Sequence, residues 1–158
     1  MNNYEVLETA ADLEGVPVDT VPFSSSRLKG LYCDGNIALS ADLETSADKA
    51  CILAEELGHH FTTVGVIMDL NDTGNRKQEL RARVWAYNKM IGLYGLIRAY
   101  KHRCANRYET AEYLGVTEEF LQEAIDYYHS KYGMVCRLDN YVDYFEPFGV
   151  LEEICHYD

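Results

Sequence analysis

A helix-dominated α+β fold follows from three features of this 158-residue sequence. From residue 45 onward, apolar side chains recur at three- and four-residue steps over most of the chain, the period of helices that bury one face. Ahead of that stretch, Leu28 to Cys33 and Asn36 to Ser40 read as short strands flanking Asp34-Gly35, a dipeptide that accepts the positive φ angles of a two-residue hairpin turn. With 47% apolar residues, the chain has enough material for one real core. The expectation is a single domain over residues 1–158. An N-terminal helix and a small antiparallel sheet (1–43) pack against a helix pair (44–91), followed by C-terminal helices and a tail (92–158).

Taken in order, residues 4 to 14 place Val6, Leu7, Ala10, Ala11 and Leu13 in an apolar stripe that Gly15 ends. Residues 16 to 23 alternate and carry Pro17 and Pro22, which suits a sheet edge or an extended lead-in. A helix opens at Thr45 or Ser46, with Asp48 complementing its dipole. Its core side gathers Ala50, Leu53, Ala54, Leu57, Phe61 and Val64, and it ends near residues 63 to 65. Residues 65 to 74 read as a loop, and Asn75 with Gln78 is a capping-box signature for the next helix. That helix has an apolar stripe of Leu80, Val84, Tyr87 and Ile91 and a second line of Glu79, Ala82 and Ala86. Small residues along such a line let a neighbouring helix come close. The chain continues helical to His102-Arg103, Asn106 caps another helix that Gly115 stops, and Thr117 opens one reaching about Tyr132. The tyrosine-rich tail from Asp139 is open between a strand and a docking arm.

Composition excludes several classes of function. Asp and Glu number 26 against 14 Lys and Arg, a net charge of −12 that repels a phosphate backbone. Basic runs are confined to Arg76-Lys77 and the segment from Arg98 to Arg103, so direct nucleic-acid binding is not expected, whereas a basic protein partner is compatible. The segment from Tyr108 to Tyr128 has the look of a helix-turn-helix, but from Ala105 to Tyr132 six acidic residues face two basic ones, so it reads as a core-forming or partner-binding pair. No leader and no run of ~18 apolar residues is visible, which predicts a soluble cytoplasmic protein without membrane contact. Cys33, Cys51, Cys104, Cys136 and Cys155 are odd in number and widely spaced, so free thiols are expected rather than disulfides or a thiolate metal site.

The chemistry concentrates in Glu55-Glu56-Leu57-Gly58-His59-His60. Opposite the core stripe of this helix, Glu55, Glu56 and His59 fall in one sector, with Glu55 and His59 one turn apart. The spacing is that of the zinc-peptidase helix H-E-x-x-H, in which residues at i, i+4 hold the metal and the glutamate between them is the general base. In that register Glu55 and His59 are ligands and Glu56 the base; the shifted register pairs Glu56 with His60. His60 lies nearer the apolar stripe, where it would support the site or pack. Cys51, one turn before Glu55 on a neighbouring line, is too far along the helix to share the ion. The plainer readings are a solvated Glu/His face and, for Glu79, a surface pair with Arg83 at i+4.

The order of extended segment, hairpin, EELGH helix, loop and Glu-x-x-Ala-x-x-Trp-Ala helix resembles the ImmA/IrrE family of metallo-endopeptidases, whose pattern is H-E-L-G-H followed by E-x-x-A-N-x-F-A. Glu56, Leu57, Gly58 and His59 match the first motif; Glu79, Ala82, Trp85 in place of Phe, and Ala86 match the second. The likeness covers roughly residues 10 to 95. It implies a minimal zincin-like fold and a zinc-dependent protease of phages and mobile elements that cleaves a helix-turn-helix repressor. His59 and Glu79 are then metal ligands and Glu56 the general base that works with metal-activated water. Glu55 stands where the family has histidine. A carboxylate ligand there is chemically possible and makes Mn²⁺ or another oxygen-preferring divalent metal more competitive with Zn²⁺. His60 and Tyr87 are candidate donors to the oxyanion. Two alternatives stand beside the peptidase: a non-catalytic relative that binds its partner as an antirepressor or adaptor, and an acidic helical regulator using the C-terminal helix pair.

Overall fold

The computed structural model describes residues 1–63 and 72–154, with side chains at all of these except 72–74. Val64, the part of the expected loop up to residue 71, and Cys155 lie outside the described residues. By packing, the chain that the sequence reads as one domain divides into two compact units, Met1–Met90 and Ile91–Asp158. The division falls one residue from the point where the active-site helices were expected to give way to the C-terminal ones.

In the first unit, α1 (Asn3–Leu13) starts on a capping box, in which the Asn2 side chain accepts from the Glu5 amide and Glu5 accepts from the Asn2 amide, each at 2.9 Å. It ends at Gly15, whose φ of 70° lets Gly15 and Val16 donate back to Asp12 and Ala11. Leu7, Ala11 and Val16 are thereby buried. Three strands follow: β1 (Val18–Val21), β2 (Gly30–Cys33) and β3 (Asn36–Ser40), in the order β1-β3-β2. The expected hairpin is present, since β2 and β3 pair antiparallel through Asp34 (φ 47°) and Gly35 (φ 76°). The sheet as a whole is mixed rather than antiparallel. The Pro17–Pro22 stretch forms an edge strand that runs parallel to β3, Val18 opposite Ile37.

The central strand sends Ile37 and Leu39 into the core, where α2 (Ser46–Thr63) packs on β2, β3 and α1. Thr45 caps α2. Its hydroxyl accepts from the Asp48 amide at 3.0 Å and donates to the Asp48 carboxylate at 2.6 Å. Phe61, placed on the core stripe by its spacing, is 38% exposed and stacks on Trp85. α3 (Asp72–Met90) begins three residues before the Asn75 cap that the sequence indicates. Asp72, Thr73 and Asn75 are all residues that start helices, so the local pattern does not choose among them. The buried side of α3 is Ala82, Ala86, Tyr87 and Met90, whereas Leu80 is 53% exposed. The small-residue line, not the Leu80-Val84 stripe, faces α2.

In the second unit, Gly92 (φ 64°) breaks the run that the sequence pattern extends as helical past residue 91, and α4 (Gly92–Lys101) begins there. α5 (Arg107–Leu114) is capped by Asn106 and stopped by Gly115, and α6 (Glu118–Tyr132) is capped by Thr117, as the sequence indicates. The tail resolves into an antiparallel meander of β4 (Val135–Leu138), β5 (Tyr141–Phe145) and β6 (Phe148–Glu152). The C-terminal part is therefore helices plus a sheet, not helices alone. Phe145 of β5 packs against Tyr128 of α6, and Tyr141 against Tyr100 of α4.

Candidate functional site

On α2, Glu56, His59 and His60 project at i, i+3 and i+4 toward β2 and α3. The approach of α3 depends on two small residues. A Cβ on Gly58 would collide with the Ala82 backbone carbonyl, its carbon 2.9 Å away, and Ala82 and Ala86 are fully buried. This contact carries Glu79, one turn before Ala82, to His59: Nε2 and Oε2 are 3.5 Å apart, with the two side chains 20% and 56% exposed.

Glu56 lies on the other flank of His59, buried against the backbone of β2. A Cβ at position 30 would stand 2.6 Å from Ile52 Cγ2 and 2.8 Å from the Glu56 Oε1, so a larger residue there would push both side chains off the strand. Burial pushes the Glu56 carboxyl up to about 7, the negative charges of Glu55 and Glu79 add to the rise, and the backbone N–H of Tyr32 works against them. The sequence wheel places Glu56 on the outward face of α2; in the fold that face is covered by β2. Glu56, His59 and Glu79 open onto one cleft of ≈ 640 Å³ whose other wall includes Gly30, Tyr32 and Cys33.

The remaining predicted residues distribute as follows. His60 stands beside the cleft rather than in it: its Nδ1 meets the Tyr32 hydroxyl at 3.0 Å and its Nε2 lies 3.6 Å from Glu14. Tyr87 is buried and does not line the cleft. Cys51 is buried too, and among the described residues Cys33, Cys51, Cys104 and Cys136 form no disulfide. Glu55 is half-buried, and its charge reaches Glu56. Among the described residues, no three His, Cys, Asp or Glu side chains are gathered closely enough to hold a metal ion. The structure thus brings His59 and Glu79 together with Glu56 beside them, and Glu55 acts there through its field. Sequence reasoning missed Gly30, Tyr32, Glu14 and the packing role of Gly58. Only Gly58 left a signal, as a glycine inside a strong helical pattern.

An imidazole and a carboxylate paired across two helices, next to a buried glutamate that titrates near neutrality, is the donor chemistry of a divalent-metal hydrolase. The sequence pattern of the Peptidase M78 family, described as the IrrE N-terminal-like domain, matches residues 11–126, well over half of the chain. The chain belongs to that family. Its domain is accordingly of metallopeptidase type, and membership implies a divalent ion. The match contains α2, α3 and the hairpin, while β4, β5 and β6 lie beyond it. No curated protein and no solved structure is similar enough to match. Among the described residues, no helix is long and apolar enough to cross a membrane.

The residues present fit a divalent ion in their donor chemistry. The imidazole nitrogen of His59 and the carboxylate of Glu79 are ordinary ligands of zinc. Glu55, one turn before His59 on α2, adds a further carboxylate and the negative potential that attracts a cation.

Proposed function

We propose that the protein is a metal-dependent endopeptidase that cleaves a helix-turn-helix repressor-like protein, with Glu56 as general base and Glu55, His59 and Glu79 as the residues that hold Zn²⁺ or Mn²⁺. The observation that carries the reading is the 3.5 Å approach of His59 to Glu79 beside buried Glu56, within a chain of the M78 family. When bound, the ion would polarise the scissile carbonyl and acidify the attacking water. Glu56, with its proton affinity near neutrality, takes the proton from that water and delivers it to the leaving amine. The backbone groups on the outer edge of β2 that Glu56 does not engage take the substrate as an added strand. The repressor as substrate and a phage or mobile-element setting are supported by the family likeness, and the net charge of −12 favours a basic partner. A cytoplasmic location agrees with such a substrate.

Incubating a purified candidate repressor with the protein and Zn²⁺ or Mn²⁺ tests the proposal. Cleavage is expected, and it is lost in Glu56→Gln. One observation favours a second reading: Glu55 occupies a ligand position and does not line the cleft. A relative with a weakened or absent metal site would act by binding, as an antirepressor or adaptor, and would retain the repressor without cutting it.

A further inference from the structure

We infer that Tyr32 is a positioning residue, clamping strand β2 onto two successive turns of α2 and so fixing the Glu56 carboxylate. In the hairpin, Leu31 stands opposite Ala38, and the Lys29 carbonyl accepts from Ser40 at 2.8 Å. Residues 29, 31 and 33 therefore spend their backbone groups on β3, and those of Gly30 and Tyr32 face the free edge. That edge is where Glu56 lies, flattened against Gly30, with the Tyr32 N–H near enough to lower its proton affinity. The same tyrosine reaches one turn farther along α2. Its hydroxyl meets His60 Nδ1 at 3.0 Å, and the two rings sit edge to face with centroids 5.7 Å apart.

Residues 56 and 60 are neighbours at i, i+4, so backbone and phenol of one residue grip two points on one face of the helix. His60 is steadied in turn by Glu14 at 3.6 Å and by the edge of Phe61, which stacks on Trp85 of α3. With both contacts made, β2 cannot slide along α2 without breaking one. With the phenol contact removed, the Tyr32 amide is a single-point attachment and Glu56 loses its fixed orientation toward the cleft. The kinetic consequence rests on the peptidase reading; the clamp itself does not.

Amide hydrogen exchange followed by NMR on the metal-free chain at one fixed pH tests it. In Tyr32→Phe and in His60→Phe the amide of residue 32 is expected to exchange about tenfold faster, while those of Leu31 and Cys33, bonded to β3, change less than about twofold. His60→Gln, which keeps a polar partner for the phenol, restores slow exchange. An unchanged residue-32 amide in Tyr32→Phe overturns the proposal, and so does equal acceleration at Leu31 and Cys33, which would mean that the hairpin has merely loosened. In the Zn²⁺-loaded chain with casein as probe, Tyr32→Phe is expected to lower kcat about tenfold at constant KM; a change confined to KM also overturns it. Absence of turnover in the unsubstituted chain would count against the peptidase reading, leaving the exchange data to decide the clamp.

Discussion

Glu56 carries the most informative single environment in the chain. A carboxyl raised to about 7 by burial and by the fields of Glu55 and Glu79 holds its proton in the folded state well above the pH at which an unfolded glutamate releases it. Glu56→Gln removes the base while preserving shape, and the amide can still accept from Tyr32. The expected result is loss of proteolysis by at least about a hundredfold with an unchanged fold, read by turnover and circular dichroism. Gly58 makes the opposite kind of prediction. Gly58→Ala drives a methyl into the Ala82 carbonyl, and since backbone faces backbone, neither side can give. Urea denaturation should show about 2–3 kcal/mol of lost stability, together with weaker Zn²⁺ binding as α3 is pushed away from His59. Much of this site was legible at the residue scale. The helix wheel put Glu56 and His59 in one sector, and the small residues at 82 and 86 marked the line that brings Glu79 in; Glu55, from the same sector, does not line the cleft. Tyr32, Gly30 and Glu14 were not legible, because their contacts with Glu56 and His60 span 24 to 46 positions and leave no periodic trace in the sequence.

Elements that the sequence specifies by local chemistry formed as expected. Asp34-Gly35 turned the β2–β3 hairpin, Thr45 capped α2, and Asn106, Gly115 and Thr117 bounded α5 and α6. Elements fixed by tertiary packing did not declare themselves: the parallel pairing of β1 with β3, the earlier start of α3, and the meander β4-β5-β6. The meander is hard to read partly because its middle strand buries a charge-bearing residue where alternation calls for an apolar one. Asp143, opposite Cys136 and Val150, is fully buried, and neither carboxylate oxygen has a hydrogen-bond partner among the described residues. Burial alone pushes its carboxyl up to about 7. The folded state therefore binds more protons than the unfolded state between about pH 4 and 7, so stability falls as pH rises through that window and levels off above it. Asp143→Asn should exceed the unsubstituted chain in stability by a clear margin at pH 8 and by a smaller one at pH 5, the gap closing only below about pH 4. Urea midpoints at the two pH values check this, and a gap of the same size at both would exclude a titrating Asp143.

At the scale of the whole molecule, charge and family assignment point the same way. A net charge of −12 and an acidic α5–α6 pair oppose DNA, and no retention on duplex DNA at physiological salt is expected, as a filter-binding or mobility assay would read. The match to the M78 family covers residues 11–126, which takes in the hairpin, α2, α3, α4 and α5, whereas the meander lies beyond it. Apolar periodicity and the hairpin pattern foretold the helix-dominated α+β class. The division into units at Met90 was less visible, since Gly92 lies within a stretch of strong helix formers and only its positive φ marks the break. The account turns on α2 and α3 converging to hold a cation between His59 and Glu79. Calorimetric titration of Zn²⁺ into the unsubstituted chain, Glu56→Gln and Glu79→Gln tests that convergence directly. One ion per chain is predicted for the first two, with at least about tenfold weaker binding in Glu79→Gln; equal affinity in all three would contradict the account.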